Sequence, residues 1–120
     1  MTLRDVCAYL HDVARACRLI EEFVEGKTYR DYVASPLLRS AVERQFEIIG
    51  EALGQTLKIQ PDLEPRVTNA RRIVSFRNRL IHGYATVADE VVWGVVEGYL
   101  PRLKTETESL LAEAPSDDGD

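Results

Sequence analysis

Residues 3–25 of the chain read LRDVCAYLHDVARACRLIEEFVE, and their apolar side chains recur at alternating steps of three and four residues. This spacing places one continuous apolar seam along an α-helix, as in the helices of a bundle. The seam consists of Leu3, Val6, Leu10, Val13, Cys17, Ile20 and Val24. Thr2 is a suitable N-cap and Gly26 a suitable C-terminal stop. The stretch therefore predicts a first helix, from Leu3 to about Glu25, that packs against other helices.

Three more segments show helical periodicity with recognisable ends. Ser35-Pro36 provides an N-cap followed by proline in the first turn, and Thr68 is predicted to cap a later helix. Pro101 is expected to kink or restart the last helix. The predicted helices span about 36–58, 68–82 and 89–113, with a single turn near Tyr29 and Tyr32. Because no segment is a credible strand, the pattern predicts an all-α fold, an up-and-down antiparallel bundle of four main helices whose last helix is kinked at a proline.

The length of 120 residues is enough for one hydrophobic core, so we expect a single domain over residues 1–114. Residues 115–120 are predicted to form a disordered acidic tail. No apolar run approaches the roughly 20 residues of a membrane helix, and the N-terminus lacks a signal-peptide pattern, so we expect a cytoplasmic protein. Cys7 and Cys17 lie about 15 Å apart along one predicted helix. That is too far for a disulfide, and both are interpreted as core residues.

Positive charge is concentrated in one part of an otherwise acidic chain. The formal net charge is −5, yet no Asp or Glu occurs between residues 65 and 88. This segment holds Arg66, Arg71, Arg72, Arg77 and Arg79, so the rest of the chain carries −10. An acidic protein does not scan duplex DNA by bulk charge, but one basic strip can hold a phosphate backbone. The alternative is an ordinary solvated arginine face.

Arg77 occupies an unusual position on the third predicted helix. At 100° per residue it lies about 40° from Ile73, inside the apolar sector that Ile73, Phe76 and Leu80 form. An arginine on the buried side of a helix requires an ion-pair partner or has a functional role. It could pair with a carboxylate of the second helix, or it could reach across a subunit interface. The candidate carboxylates are Glu43, Glu47 and Glu51.

His82 is predicted to end the same helix, and its imidazole can pass a proton to a leaving oxygen near neutral pH. An arginine fork neutralises a phosphoryl oxygen as negative charge develops on it. Arg77 and His82 can therefore cleave RNA without a metal or another cofactor, because the ribose 2′-hydroxyl attacks the adjacent phosphate while His82 moves the proton. No cluster of Asp, Glu or His shows metal-ligand spacing.

The spacing of Arg77 and His82 also bears on oligomeric state. Five residues along a regular helix place the two side chains about 140° apart, which is awkward for one compact site on a single chain. A twofold pairing of the third helices would bring both residues of each chain towards a shared cleft. The spacing therefore favours a homodimer, with the Arg77 side of the helix partly in the interface.

The sequence Arg-Asn-Arg-Leu-Ile-His-Gly-Tyr, residues 77–84, resembles the Arg-x4-His-x-Tyr signature of the HEPN superfamily, and specifically of the HepT-like toxins of prokaryotic toxin–antitoxin pairs. Residues 41–52, AVERQFEIIGEA, are similar to the second-helix segment of that family. The stretches 91–93 and 100–103, VVW and LPRL, match its last helix. The resemblance therefore extends from the second helix to the last.

The resemblance implies a metal-independent endoribonuclease that dimerises to build its cleft. Arg77 and His82 would be catalytic, with Asn78 supporting them. Tyr84 would match the tyrosine to which an MNT-type nucleotidyltransferase antitoxin transfers AMP, silencing the toxin, as in a type VII-like pair. With RNA as the substrate, the exposed strip residues Arg71, Arg72 and Arg79 are predicted to bind it. The alternative is a non-catalytic HEPN adaptor that binds a nucleotidyltransferase partner; a helix-turn-helix DNA binder is disfavoured by the acidic net charge.

Overall fold

The computed structural model describes residues 3–82 and 87–113, and these residues are helical apart from short connections. The helices are α1 Leu3–Val24, α2 Tyr29–Ala34, α3 Pro36–Ile59, α4 Ala70–His82, α5 Asp89–Gly98 and α6 Leu100–Glu113, with a 3-10 helix at Pro61–Arg66. No strand occurs in the two described ranges. The predicted all-α bundle of four main helices is confirmed, with α5 and α6 together as the fourth. The predicted tail, 115–120, lies outside the described residues.

The seam of α1 forms one side of the hydrophobic core. Val13, Cys17 and Ile20 are fully buried, and Val6 and Leu10 are nearly so. These side chains pack against α3 and α6, which both lie along α1. Burial raises the pKa of the Cys17 thiol to about 12, so this thiol stays protonated and acts as a small core residue. Both cysteines are free, as their predicted separation requires.

α3 lies at the centre of the bundle because it contacts α1, α2 and α4. Phe46 of α3 meets Phe76 of α4 edge to face, with ring centroids 5.3 Å apart. Tyr32, the buried residue of α2, packs against Trp93 of α5 at 5.4 Å. These aromatic contacts attach α4 and α5 to the core, and the candidate site lies on α4. None of the described helices is long and apolar enough to cross a bilayer.

The ends of the helices follow the capping chemistry of the sequence at three positions. The Ser35 hydroxyl accepts a hydrogen bond from the Leu38 backbone N–H at 3.0 Å, and Pro36 begins α3. Gly26 follows α1 with φ of 73°, a left-handed conformation that glycine adopts without steric cost. Thr28 and Asp31 form a reciprocal capping box, which stabilises the short helix α2 at its start.

The predicted cap at Thr68 is wrong. α4 begins at Ala70, and the residue before it, Asn69, has a left-handed φ of 57°. Thr68 instead binds Glu106 of α6 twice: its backbone N–H donates at 2.9 Å and its hydroxyl at 2.7 Å. This long-range pairing takes the threonine away from the helix start, a contact that a local capping pattern cannot anticipate.

The last main helix is interrupted at Tyr99, two residues before Pro101. α5 ends at Gly98 and α6 begins at Leu100, with Pro101 in its first turn. Proline has no backbone N–H to donate, so a new helix begins at low cost around it. The Tyr99 hydroxyl donates to the Thr68 carbonyl at 2.6 Å and ties this break to the start of α4. The sequence predicted either a kink or a restart of the helix at Pro101, and the structure shows a restart.

Candidate active site

Arg77 lies on the side of α4 that faces α3, as the helical periodicity predicts. Its side chain is only 26% exposed, and its Nη2 lies 2.8 Å from a carboxylate oxygen of Glu51. Of the three candidate carboxylates, Glu51 is therefore the partner. Glu47 pairs instead with Arg44 at 3.2 Å. Burial, followed by the charges of Asp89 and Glu47, raises the pKa of Glu43.

A close approach of α3 and α4 determines where Arg77 lies. A Cβ added at Gly50 would lie 2.1 Å from the Arg77 Cβ and 2.6 Å from its Cγ. No side chain fits in that space, so the stem of Arg77 crosses α3 directly over the glycine backbone. Sequence reasoning assigned Gly50 no role. The available signal was a glycine inside a helix, where it costs about 1 kcal/mol relative to alanine and so often has a packing reason.

The guanidinium of Arg77 is held at two of its three nitrogens. Nη2 contacts Glu51, and Nη1 donates to the side-chain oxygen of the neighbouring Asn78 at 3.0 Å. Nε is buried, with no hydrogen-bond partner in the described part of the chain. Glu51 and Asn78 therefore orient the plane of the guanidinium.

His82 is the last residue of α4 and is exposed. Across residues 3–82 and 87–113, no side chain forms a hydrogen bond or ion pair with it. The structure thus brings Arg77 and Asn78 together. It leaves His82 about 1.4 turns further along the same helix and about 140° around it. The imidazole is free to meet a ligand that reaches the end of α4.

The five arginines of the basic segment divide into two groups. Carboxylates from elsewhere in the chain neutralise three of them: Arg66 binds Glu113, Arg71 binds Glu64 at 2.8 Å, and Arg77 binds Glu51. Arg72 and Arg79 form no ion pair with any residue that the structure describes. Both line a groove of about 560 Å³ between α4 and α5. The unneutralised positive charge therefore lies on the groove side of α4.

The remaining expectations for the site concern the segment after His82 and the binding of a metal ion. Gly83 and Tyr84 lie outside the described residues. Among the residues that are described, no three His, Cys, Asp or Glu side chains are grouped so that they could hold a metal ion.

Comparison with known proteins gives a consistent result. The family described as Ribonuclease HepT-like matches residues 13–110. A provisionally named RNase of Methanocaldococcus jannaschii is 33% identical over 110 residues, covering 90% of this chain and 98% of the relative. The "Probable ribonuclease HepT" of Thermococcus cleftensis is 36% identical over 102 residues, covering 85% and 92%. No solved structure matches the chain. The chain belongs to the HepT-like family of ribonucleases.

Proposed function

We propose that the protein is a metal-independent endoribonuclease, the cytoplasmic toxin of a type VII-like HepT/MNT toxin–antitoxin pair. The observation that carries the proposal is the arrangement along α4. Glu51 and Asn78 orient the Arg77 guanidinium, and the exposed His82 follows five residues later. A chain of a ribonuclease family that keeps all of these groups has the parts that phosphodiester cleavage needs.

In the proposed reaction the ribose 2′-oxygen forms a bond to the adjacent phosphorus and loses its proton to solvent. The bond from phosphorus to the 5′-oxygen breaks, and the imidazolium of His82 donates a proton to that departing oxygen. Arg77 binds the non-bridging phosphoryl oxygens, whose negative charge increases in the transition state. The products are a 2′,3′-cyclic phosphate and a free 5′-hydroxyl.

We propose further that the cleft is completed by a second copy of the chain. Arg77 and His82 point in different directions from one helix, so Arg77 of one protomer would act with His82 of its partner. Ile81, about 40° around α4 from Arg77, supports this arrangement because it is 43% exposed on the apolar side of the helix. Covering this side chain would favour association through the Arg77 side of α4.

Cleavage chemistry is tested with purified protein and RNA in excess EDTA. We expect cleavage to persist and to leave 2′,3′-cyclic phosphate or its hydrolysis product, because the proposed groups require no metal. Mass spectrometry of the fragments identifies the ends. Loss of cleavage on chelation, with helical content unchanged, would contradict the metal-free mechanism. A protein that cleaves no RNA yet binds a nucleotidyltransferase would instead be the non-catalytic adaptor.

The proposed antitoxin is an MNT-type nucleotidyltransferase that transfers AMP to Tyr84, two residues beyond His82. An adenylyl group there would add negative charge and bulk next to the RNA cleft and so repel the substrate. We expect Tyr84→Phe to keep RNA cleavage and to gain no adenylyl mass when incubated with the antitoxin and ATP. Tyr99→Phe is the control, because its hydroxyl is occupied by Thr68. Equal modification of Tyr84→Phe and wild type would place the acceptor elsewhere.

A further inference from the structure

A groove separates α4 from α5, and its two walls differ in chemistry. The α4 wall carries Arg72, Ser75 and Arg79, whereas the α5 wall carries Val91 and Val95. Its volume of about 560 Å³ lies within the usual range of small-molecule pockets, about 300–1,000 Å³. One wall can therefore bind anions while the other offers apolar contact, and this is the combination that a nucleotide requires.

The positive charge in the groove is available to a ligand. Arg72 and Arg79 are seven residues apart, so they lie two turns, or about 10.5 Å, apart along the same side of α4. Neither is neutralised by a described residue, whereas Arg71 at the groove edge is held by Glu64. One acidic side chain, Glu90, lines the described part of the groove. Two unpaired guanidinium groups in a row match a chain of phosphates better than a single anion.

The α5 wall is open because of two glycines, Gly94 and Gly98. A Cβ at either position would meet no atom of the described residues within 4 Å, so packing among these residues does not require glycine there. Gly94, which lies inside α5, nevertheless costs about 1 kcal/mol relative to alanine. Because the two glycines have no side chains, there is room beside Val91 and Val95. Val91 is 41% exposed. A planar base fits against such a wall.

The groove leads towards His82. On the helical wheel of α4, Ser75, Arg79 and His82 lie within about 60° of one another, so His82 continues the stripe beyond the groove. At the other end, the hydrogen bond from the Tyr99 hydroxyl to the Thr68 carbonyl, 2.6 Å long, joins the two walls. A strand lying in the groove would therefore emerge at the proton-transfer residue.

We propose that this groove is the binding subsite for the single-stranded RNA segment next to the cleaved bond. Arg72 and Arg79 bind its phosphates, and a base packs against Val91 and Val95 in the space that Gly94 leaves open. The inference rests on the proposed function, because RNA in the groove would reach the cleaved bond only if His82 is the proton-transfer residue. It adds a defined path for the RNA, on the side of α4 away from Glu51.

The test measures binding of a mixed-sequence 2′-O-methyl oligonucleotide of about 12 nucleotides, which has no free 2′-hydroxyl and so is not cleaved. Fluorescence anisotropy compares wild type with Arg72→Ala/Arg79→Ala. The matched control is Arg30→Ala/Arg102→Ala, which removes the same charge from exposed positions outside the groove. We expect the groove pair to bind roughly tenfold more weakly or worse. We also expect it to reduce the slope of log K against log salt by about 1.4, or 0.7 for each lost phosphate contact. The control should change both much less.

A second variant tests the apolar wall without changing charge. Gly94→Leu should fold normally, because its Cβ meets nothing, and should block the groove and weaken binding to a similar extent. Ala112→Leu places the same leucine side chain on the exposed side of α6 and is its control. Circular dichroism checks that helical content is unchanged.

The outcomes separate this inference from the proposed function. If both groove variants bind the oligonucleotide as wild type does and RNA cleavage still depends on His82, the RNA subsite is wrong. The proposed ribonuclease function is then unaffected. Wild-type protein that neither cleaves RNA nor binds the oligonucleotide would contradict both. If Gly94→Leu changes the sedimentation coefficient while the arginine pair leaves oligonucleotide binding intact, the groove holds a second copy of the chain, and the RNA subsite is wrong.

Discussion

Gly50→Ala is expected to lower the free energy of unfolding by about 1–3 kcal/mol, the usual cost of overpacking a tight contact. The added methyl would lie 2.1 Å from the Arg77 Cβ, which belongs to a helix and not to a flexible side-chain end. α3 and α4 would have to move apart, and the gain in helix propensity is too small to offset that movement. Urea unfolding monitored by circular dichroism measures the change.

Gly54→Ala is the matched control on the same helix. A Cβ at this position meets only Val74 Cγ1, at 3.8 Å, which is an ordinary van der Waals contact. We expect this variant to be unchanged or stabilised by up to about 1 kcal/mol, since alanine favours the helix. Equal stability of the two variants would show that α3 and α4 do not approach each other as the structure has them.

The same glycine should affect activity through Arg77. Moving α4 away from α3 separates Arg77 from Glu51 and reorients the guanidinium that we propose to bind the phosphate. We therefore expect Gly50→Ala to lose RNA cleavage even at temperatures where it remains folded, while Gly54→Ala retains it. Because Gly50 does not itself contact the substrate in this proposal, it acts as a positioning residue.

His82→Ala is expected to lower the rate of RNA cleavage by about 10²–10⁴, the contribution typical of a general acid or base. The loss should appear in kcat more than in KM, since the imidazole acts in the transition state. His11→Ala is the control, because His11 is the other histidine of the chain and lies exposed on α1. A rate within a few-fold of wild type in His82→Ala would remove this residue from the mechanism.

Arg77→Ala should cause a comparable loss, and mixing it with His82→Ala tests the shared cleft. If Arg77 of one protomer acts with His82 of its partner, a mixed dimer regains one intact site. Random exchange would then restore about a quarter of wild-type activity, because half of the dimers are mixed and each has one of two sites. No recovery after verified exchange would mean that each site is built within one chain.

The sequence alone predicted the class of fold because the apolar periodicity is itself a property of helices. The seam from Val6 to Ile20 is buried as the spacing requires, and Pro36 begins α3. The same reasoning placed Arg77 on the buried side of α4, since direction around a helix depends only on the rise and turn of the backbone. These are local properties, fixed within a few residues of chain.

Contacts between distant segments could not be predicted in the same way. Thr68 looks like a helix cap in the local sequence, but Glu106 competes for it from 38 residues away. The break in the last helix falls at Tyr99, as a proline in the first turn of α6 favours, but the hydrogen bond from the Tyr99 hydroxyl to the Thr68 carbonyl joins segments 31 residues apart. At Thr68 a long-range hydrogen bond overrides the local preference, and at Tyr99 one links two segments that the local sequence does not connect.

What the sequence determined was therefore the helices, their buried faces and the group of chemically capable residues on α4. Only the tertiary structure decided which of three carboxylates meets Arg77, because that choice depends on the register of α3 against α4 at Gly50. It likewise decided which arginines remain available. Arg66 and Arg77 are neutralised by acids that are distant in sequence, Arg71 is neutralised by the nearby Glu64, and Arg72 and Arg79 face the groove. Charge that is continuous in the sequence is thus divided by packing, because an ion pair depends on distance in space and not on distance along the chain.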